Sequence, residues 1–289
     1  MQKKVLIVGA KGMLGQALVQ VFAKDIRYAV SEWDREEIDV TDASDAEDKI
    51  WTLSPDIIIN ASAYNAVDAC EENDEEYVKA VGLNGEAPVF LVRVAKRIGA
   101  LLVHYSTDYV FGDAPVIDDG FSEDATPLPN CRYAQSKLLG EKGVASVGGK
   151  YYIIRLSKLF GKPGASAIGK KSFFEAMLEA GKTKDEVNVV DDEMSCFTYA
   201  PDLAQASKDL VESEDAYGIY HLINESPVTW YDGVVELYKQ AGFSIKVVPV
   251  TSETFPRPAK RPKFSVLRNT RRPLLRPYQE ALGEFLSQA

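Results

Sequence analysis

Two histidines and three cysteines in 289 residues leave the chain with little material for metal or disulfide chemistry. The cysteines, Cys70, Cys131 and Cys196, stand far apart and form no CxxC or Cys/His pattern, so neither a disulfide framework nor a zinc site is indicated and a reducing compartment fits best. His104 and His221 both lie in apolar, strand-like runs and read as strand residues rather than ligands. Long apolar runs are missing too. No segment approaches the roughly 18 apolar residues that a membrane span requires, and the apolar run in MQKKVLIVGAKG is too short for a signal peptide and passes straight into a glycine turn. Positive charge is scarce: 33 Lys and Arg against 43 Asp and Glu give a formal charge of -10. That balance argues against a nucleic-acid partner, since phosphate backbones are held by a basic face. The expectation is a soluble cytoplasmic protein in which any anionic ligand is held locally.

What the chain does have is apolar residues, 46% of the total, at a length where one core begins to divide into two. Short β-branched runs recur at wide intervals: KVLIVGA, YAVSEW, DIIINAS, LLVHYST and YYIIRLS. Between them MLGQALVQVFAK and APVFLVRVAKRIG repeat apolar residues at helical spacing. Strands apolar at nearly every position are buried on both faces, as in a parallel sheet covered by helices. The pattern predicts a Rossmann-like, doubly wound α/β domain over residues 1–160 and a smaller substrate-binding region over 161–289. In that second region GKPGASAIGKK reads as a loop. A helix over 171–181, the strand VNVV, a helix from Pro201, the strand GIYHLI and a helix near Thr229 follow. Segments near 187–223 are expected to return to the main sheet, and a proline- and arginine-rich tail over 255–277 precedes a last short helix.

The first strand ends in GAKGMLG, which places Gly9, Gly12 and Gly15 at a strand-to-helix junction. Such a turn lets backbone approach a ligand and aims helix N-terminal amides at a phosphate. In this context the triplet predicts a dinucleotide site. The acidic residue expected about twenty residues on, for an adenine ribose, is Asp34. Its neighbour Arg35, with Lys11 in the glycine loop, offers instead to hold a 2′-phosphate. NADH and NADPH both stay open, with a lean toward NADPH.

A nicotinamide cofactor makes hydride transfer the default reaction, and a ketone then needs a proton donor. A tyrosine serves when a nearby cation favours its phenolate. CRYAQSKLLGE holds Tyr133 and Lys137 one helical turn apart, and no other tyrosine in the chain has a lysine four positions later. Lys137 would lower the tyrosine pKa and hold the nicotinamide ribose. The strand HYSTDYVF ends in Ser106, Thr107 and Asp108, at the sheet edge where ligands sit, so a hydroxyl there can orient the carbonyl.

Taken in order, GAKGMLG, NASAYNAVDACEEN, HYSTDYVFG, YAQSKLLGE, GIYHLIN and RPAKRPKFSVLRNT resemble the extended short-chain dehydrogenase/reductase superfamily, and within it the dTDP-4-dehydrorhamnose reductase family. The resemblance implies a catalytic Thr107, Tyr133 and Lys137 and glycine-loop contacts at Gly12, Met13 and Leu14. It puts the adenine contact at Asp39 and Val40, in competition with Asp34, and further cofactor contacts at Ala63, Tyr64 and Asn65. Asp108 matches a substrate-contacting position. The implied reaction is reduction of the C4 ketone of a nucleotide-linked 4-keto-6-deoxy sugar in deoxysugar and polysaccharide biosynthesis.

The chain departs from the family at two segments. RLSK over 155–158 replaces RTSW, so Lys158 stands where the family has an aromatic substrate contact; it is expected to meet a phosphate or sugar hydroxyl. DDEMSCFT over 191–198 replaces a further family run. Some relatives bind magnesium through glutamates at a dimer contact, but this chain has Gln16 and Ala17 at that point, so no metal is expected; a homodimer stays open. The tail carries Arg257, Lys260, Arg261, Lys263 and Arg268, of which Arg261 is the expected phosphate contact. The competing readings are a nucleotide-sugar epimerase or dehydratase, and a non-catalytic subunit resembling the regulatory subunit of methionine adenosyltransferase.

Overall fold

Successive side chains of a strand point to opposite faces of its sheet, and here both sets are apolar. Val5, Ile7, Ile57, Ile59, Val103, Tyr105, Tyr152 and Ile154 share one core with Leu18, Phe22 and Leu203. The alternate residues Leu6, Val8, Ile58, Leu102 and Ile153 share another with Ile50, Leu91 and Val92. A sheet apolar on both faces must be covered on both, which is the doubly wound arrangement. The structure is a computed structural model and describes residues 1–165, 171–213 and 215–288.

Its sheet strands are β1 (Lys3–Val8), β2 (Tyr28–Trp33), β3 (Ile57–Asn60), β4 (Leu101–Thr107) and β5 (Tyr151–Leu156). Short strands follow at β6 (Leu159–Phe160), β7 (Glu186–Val190), β8 (Thr198–Tyr199), β9 (Gly218–His221), β10 (Asn224–Glu225), β11 (Lys246–Val250) and β12 (Leu275–Pro277). The main sheet is six-stranded, in the order β2-β1-β3-β4-β5-β9, with every pair parallel. Helices α1 (Met13–Ala23), α2 (Ala43–Leu53), α3 (Val67–Glu72), α4 (Asp74–Ala80), α5 (Ala87–Ile98) and α6 (Arg132–Val147) belong to the first half. The second half carries α7 (Phe173–Thr183), α8 (Ala200–Glu212), α9 (Trp230–Ala241) and α10 (Tyr278–Ser287).

The chain does re-enter the main sheet after residue 161, through β9 beside β5. VNVV does not go with it. That segment is β7, which pairs with β11 in a separate parallel sheet from Glu186↔Lys246 to Val190↔Val250. The helix expected over 171–181 starts two residues later because Ser172 and Glu175 form a reciprocal capping box, which fixes the first turn. Thr229 and Asp232 cap α9 in the same way. Of GKPGASAIGKK, residues 166–170 lie outside the described residues. The core of the second half is aromatic: Phe160, Phe174, Phe197, Tyr199, Tyr278 and Phe285 pack together, with edge-to-face contacts such as Phe160–Phe174 at 5.0 Å.

Among the described residues no helix is long and apolar enough to cross a membrane. One ion pair is sunk completely into the fold: Arg155 on β5 forks onto Glu141 on α6 at 2.9 and 2.7 Å, with the two side chains 1% and 3% exposed.

Candidate active site

The glycine turn joins β1 to α1. Gly9 has a positive φ of 78°, and a Cβ on Gly15 would stand 2.1 Å from the Gly9 carbonyl oxygen, so the helix start and the strand end touch backbone to backbone. Gly12 is the N-cap of α1. No side chain caps it and no acidic residue lies in the first turn, a donor set that suits an anion; Gly164 packs closely over it, a Cβ there standing 3.0 Å from the Met13 nitrogen. A dinucleotide phosphate fits this donor set.

Asp34 closes the turn from the side, its Oδ2 accepting the Lys11 amide at 3.0 Å. Arg35 is well exposed, and Lys11 pairs with Glu36 at 3.0 Å. Asp39 is turned to local backbone instead. It accepts from the amide and hydroxyl of Thr41, while Val40 is buried in the core behind α2. The structure thus puts Asp34, rather than Asp39, directly on the glycine turn.

Ala63, Tyr64 and Asn65 form the loop after β3, and a residue unnoticed in the sequence fixes it. Asn84 lies in a π-helical turn over Val81–Glu86 and is fully buried. Its Oδ1 accepts the Tyr64 amide at 2.9 Å, and its Nδ2 donates to the Tyr64 carbonyl and to Ser136 Oγ, both at 3.0 Å. Ser136 donates on to the Tyr133 carbonyl at 2.7 Å. One amide therefore ties the loop to the helix that carries Tyr133. The available signal was an Asn-Gly pair inside a helical pattern, where such residues usually break the helix. Asn84→Ala should lose about 2 kcal/mol, because the Tyr64 backbone groups are left unpaired; chemical denaturation measures it, and an unchanged midpoint would contradict the role.

Thr107 ends β4, and Tyr133 and Lys137 lie in the first two turns of α6. The structure places the Tyr133 side chain near Thr107. Tyr133 is buried against Tyr109, the two rings edge to face at 6.0 Å. Burial pushes its pKa above the ordinary value, with the nearby Thr107 hydroxyl pulling the other way. Lys137 does not face that hydroxyl. Its Nζ donates to the Tyr105 carbonyl at 2.6 Å, and burial lowers its pKa to about 8. The expected lowering of the tyrosine by Lys137 is therefore absent from this arrangement. A four-residue spacing puts two side chains on one face but does not set where a flexible ammonium points.

Asp108 is 2% exposed and turned inward. Its Oδ2 accepts from Ser157 Oγ at 2.8 Å and Ser265 Oγ at 2.6 Å, and its Oδ1 from Thr107 Oγ1 at 3.2 Å. A carboxyl so enclosed serves Thr107 rather than an open pocket. Burial raises its pKa. Ser106 beside it is also buried, and its Oγ has no hydrogen-bond partner among the described residues.

Lys158 has a left-handed backbone, φ 35°. Its Nζ lies 4.3 Å from the Trp230 ring centroid and 5.4 Å from that of Phe197, and donates to the Glu193 and Val228 carbonyls at 3.2 and 3.3 Å. The ammonium is thus engaged by protein, and burial lowers its pKa to about 8. Arg261 is engaged as well, by a fork onto Asp68 with both bonds at 2.7 Å. The other tail cations fold back likewise. Lys260 pairs with Asp113, Lys263 with Asp192, Arg268 with Asp119 and Arg257 with Glu193. In an acidic chain the nearest counter-charge for each is a carboxylate of its own.

Among the described residues no three His, Cys, Asp or Glu side chains gather to hold a metal ion.

The match to known proteins covers the whole site. The family model described as the RmlD substrate binding domain matches residues 3–289. The spore coat polysaccharide biosynthesis protein SpsK of Bacillus subtilis is 33% identical over 99% of this chain and 97% of its own. The dTDP-4-dehydrorhamnose reductase of Burkholderia thailandensis is 32% identical over 92% and 90%. Among solved structures, the Bacillus anthracis dTDP-4-dehydrorhamnose reductase in complex with NADP superposes with a TM-score of 0.91 at 31% identity, covering all of both chains. The Clostridium acetobutylicum dTDP-4-dehydrorhamnose reductase gives 0.90 at 35%, covering 99% of each. By the family model and these relatives, this chain belongs to the dTDP-4-dehydrorhamnose reductase family.

Proposed function

We propose that the protein is an NADPH-dependent reductase of the C4 ketone of a dTDP-linked 4-keto-6-deoxy sugar. The observation that carries this reading is the placing of the buried Tyr133 near Thr107 at the C-terminal end of β4, in a fold whose first helix begins with no side-chain cap. Relatives at 31–35% identity bear the name dTDP-4-dehydrorhamnose reductase, one of them in complex with NADP.

In this reading a bound nicotinamide dinucleotide, its diphosphate at the glycine turn, would supply the hydride. Gly12, Met13 and Leu14 take the diphosphate, and the loop of Ala63, Tyr64 and Asn65 lines the path of the cofactor. Tyr133 gives the proton and Thr107 orients the carbonyl. Lys137, anchored on the Tyr105 carbonyl, is left the other task the resemblance implies, holding the nicotinamide ribose. The presence of all three of these side chains argues against a purely regulatory subunit.

A panel of 4-keto-6-deoxy nucleotide sugars assayed with NADPH and NADH tests the reading. Sugar-dependent oxidation of NADPH is expected, and no oxidation with any member would overturn it. At the adenine end Arg35 and Lys11 are the cations for a 2′-phosphate. Arg35→Ala should weaken NADPH about tenfold, equivalent to ~1.4 kcal/mol, and leave NADH unchanged; equal losses for both in a fluorescence titration would assign Arg35 no such role.

A further inference from the structure

Tyr133 is 9% exposed, so a sugar reaches it only if one of the walls around it moves. Cys70, Ala80, Cys131 and Ala134 are walls on the body of the fold, carried by α3, α4, the N-cap of α6 and α6 itself. The remaining buried wall, Ala259, comes from the tail, in a stretch with no regular secondary structure. Between Glu253 and Arg261 it is the one buried residue. Pro256, Pro258 and Pro262 around it have no backbone N–H to anchor. Both ends of the stretch are pinned at one place. Asp192 accepts the Ser252 amide at 2.8 Å and the Lys263 ammonium, which also donates to Ser252 Oγ at 2.6 Å. The Lys263 carbonyl accepts the Met194 amide at 2.9 Å. Residues 252–263 are thus a surface loop with its ends together.

At the tip of that loop one ion pair does the holding. Arg261 forks onto Asp68 with both bonds at 2.7 Å, the Ala259 amide donates to Asp68 Oδ1 at 3.2 Å, and the Ala259 carbonyl accepts from Arg261 Nη1 at 2.9 Å. Both backbone groups of the residue packed with Tyr133 therefore depend on one carboxylate and one guanidinium. Lys260 pairs with Asp113 too, but both side chains are exposed and such a pair holds little. We propose that residues 252–263 are a lid over Tyr133, hinged at Asp192 and latched by the Asp68–Arg261 fork, which opens to admit the nucleotide sugar and shuts to exclude water from hydride transfer. Asp68 and Arg261 are then positioning residues, acting on the site through Ala259. Asp68 stands on α3, directly after the loop of Ala63, Tyr64 and Asn65, so the lid shuts against the segment that lines the path of the cofactor. The latch gives Arg261 a task other than the phosphate contact its sequence suggests.

The lid rests on the reductase reading for its guest, and limited trypsin digestion tests the two apart. Trypsin cuts after Lys or Arg but not before Pro, so Lys260–Arg261 is the cleavable bond at the tip. Its rate of cutting follows the open population when opening is fast. Asp68→Ala should raise that rate about tenfold or more relative to every other site, the worth of one charged hydrogen bond. Asp68→Asn, which keeps an acceptor for the Ala259 amide, should raise it less. In the wild type, NADP+ with a dTDP-linked 4-keto-6-deoxy sugar, a pair that cannot react, should slow the tip cut about tenfold at ten times the dissociation constant. An equal rise at all sites would make the fork a merely structural tie and overturn the lid, as would a tip cut indifferent to Asp68→Ala. Turnover of the sugar together with a tip cut that the unreactive pair leaves unchanged overturns the lid and spares the reductase. A wild type inactive on every sugar overturns the reductase reading instead, and the latch then stands or falls on the Asp68 variants.

Discussion

Tyr133→Phe is expected to lower kcat by about 10³-fold, within the range of a positioned general acid, with cofactor affinity retained. The substitution removes one oxygen from a buried ring. That ring keeps its edge-to-face contact with Tyr109 and its apolar surroundings of Cys70, Ala80, Cys131 and Ala259. Thr107 keeps Asp108 and the Tyr109 amide as partners, so no buried group is stranded. The glycine turn lies on another element and is untouched. Stopped-flow NADPH oxidation measures the rate and fluorescence titration the affinity. Full turnover in this variant would contradict the assignment of Tyr133 as proton donor.

Arg155→Met should destabilise the fold by about 3–5 kcal/mol, because it leaves the Glu141 carboxylate buried without its cation. The loss is a large share of the stability of an ordinary domain, about 5–15 kcal/mol. Arg155 is positioned by more than the forked bonds. Its guanidinium lies 5.0 Å from the Phe111 ring centroid, and its Nη1 is 3.4 Å from His221 Nε2. Replacing both partners, as Arg155→Met with Glu141→Leu, should recover most of the loss, since a packed apolar pair carries no stranded charge. Urea unfolding of the single and double variants distinguishes the cases, and a single variant as stable as the wild type would contradict the account.

The main sheet was legible in the sequence because most of its strands are apolar at nearly every position, and period and length are local properties. The glycine turn and the Tyr133–Lys137 spacing were legible for the same reason. What the sequence hid depends on partners far along the chain. Lys158 finds its rings at Phe197 and Trp230, Arg261 its carboxylate at Asp68, and VNVV its neighbour at β11. No periodicity encodes such choices; packing makes them. Asn84 and Ser265 belong to segments whose patterns were visible, but their roles appear only when the hydrogen bonds of Tyr64 and Asp108 are followed to their ends.

Hydride delivery to a sugar carbon is the central claim, and isotope transfer reads it directly. With dTDP-4-keto-6-deoxy sugar and NADPH carrying two deuterium atoms at the nicotinamide C4, one deuterium should appear at C4 of the product sugar for each NADPH oxidised. Deuterium at no sugar carbon, with the cofactor bound and intact, would contradict it.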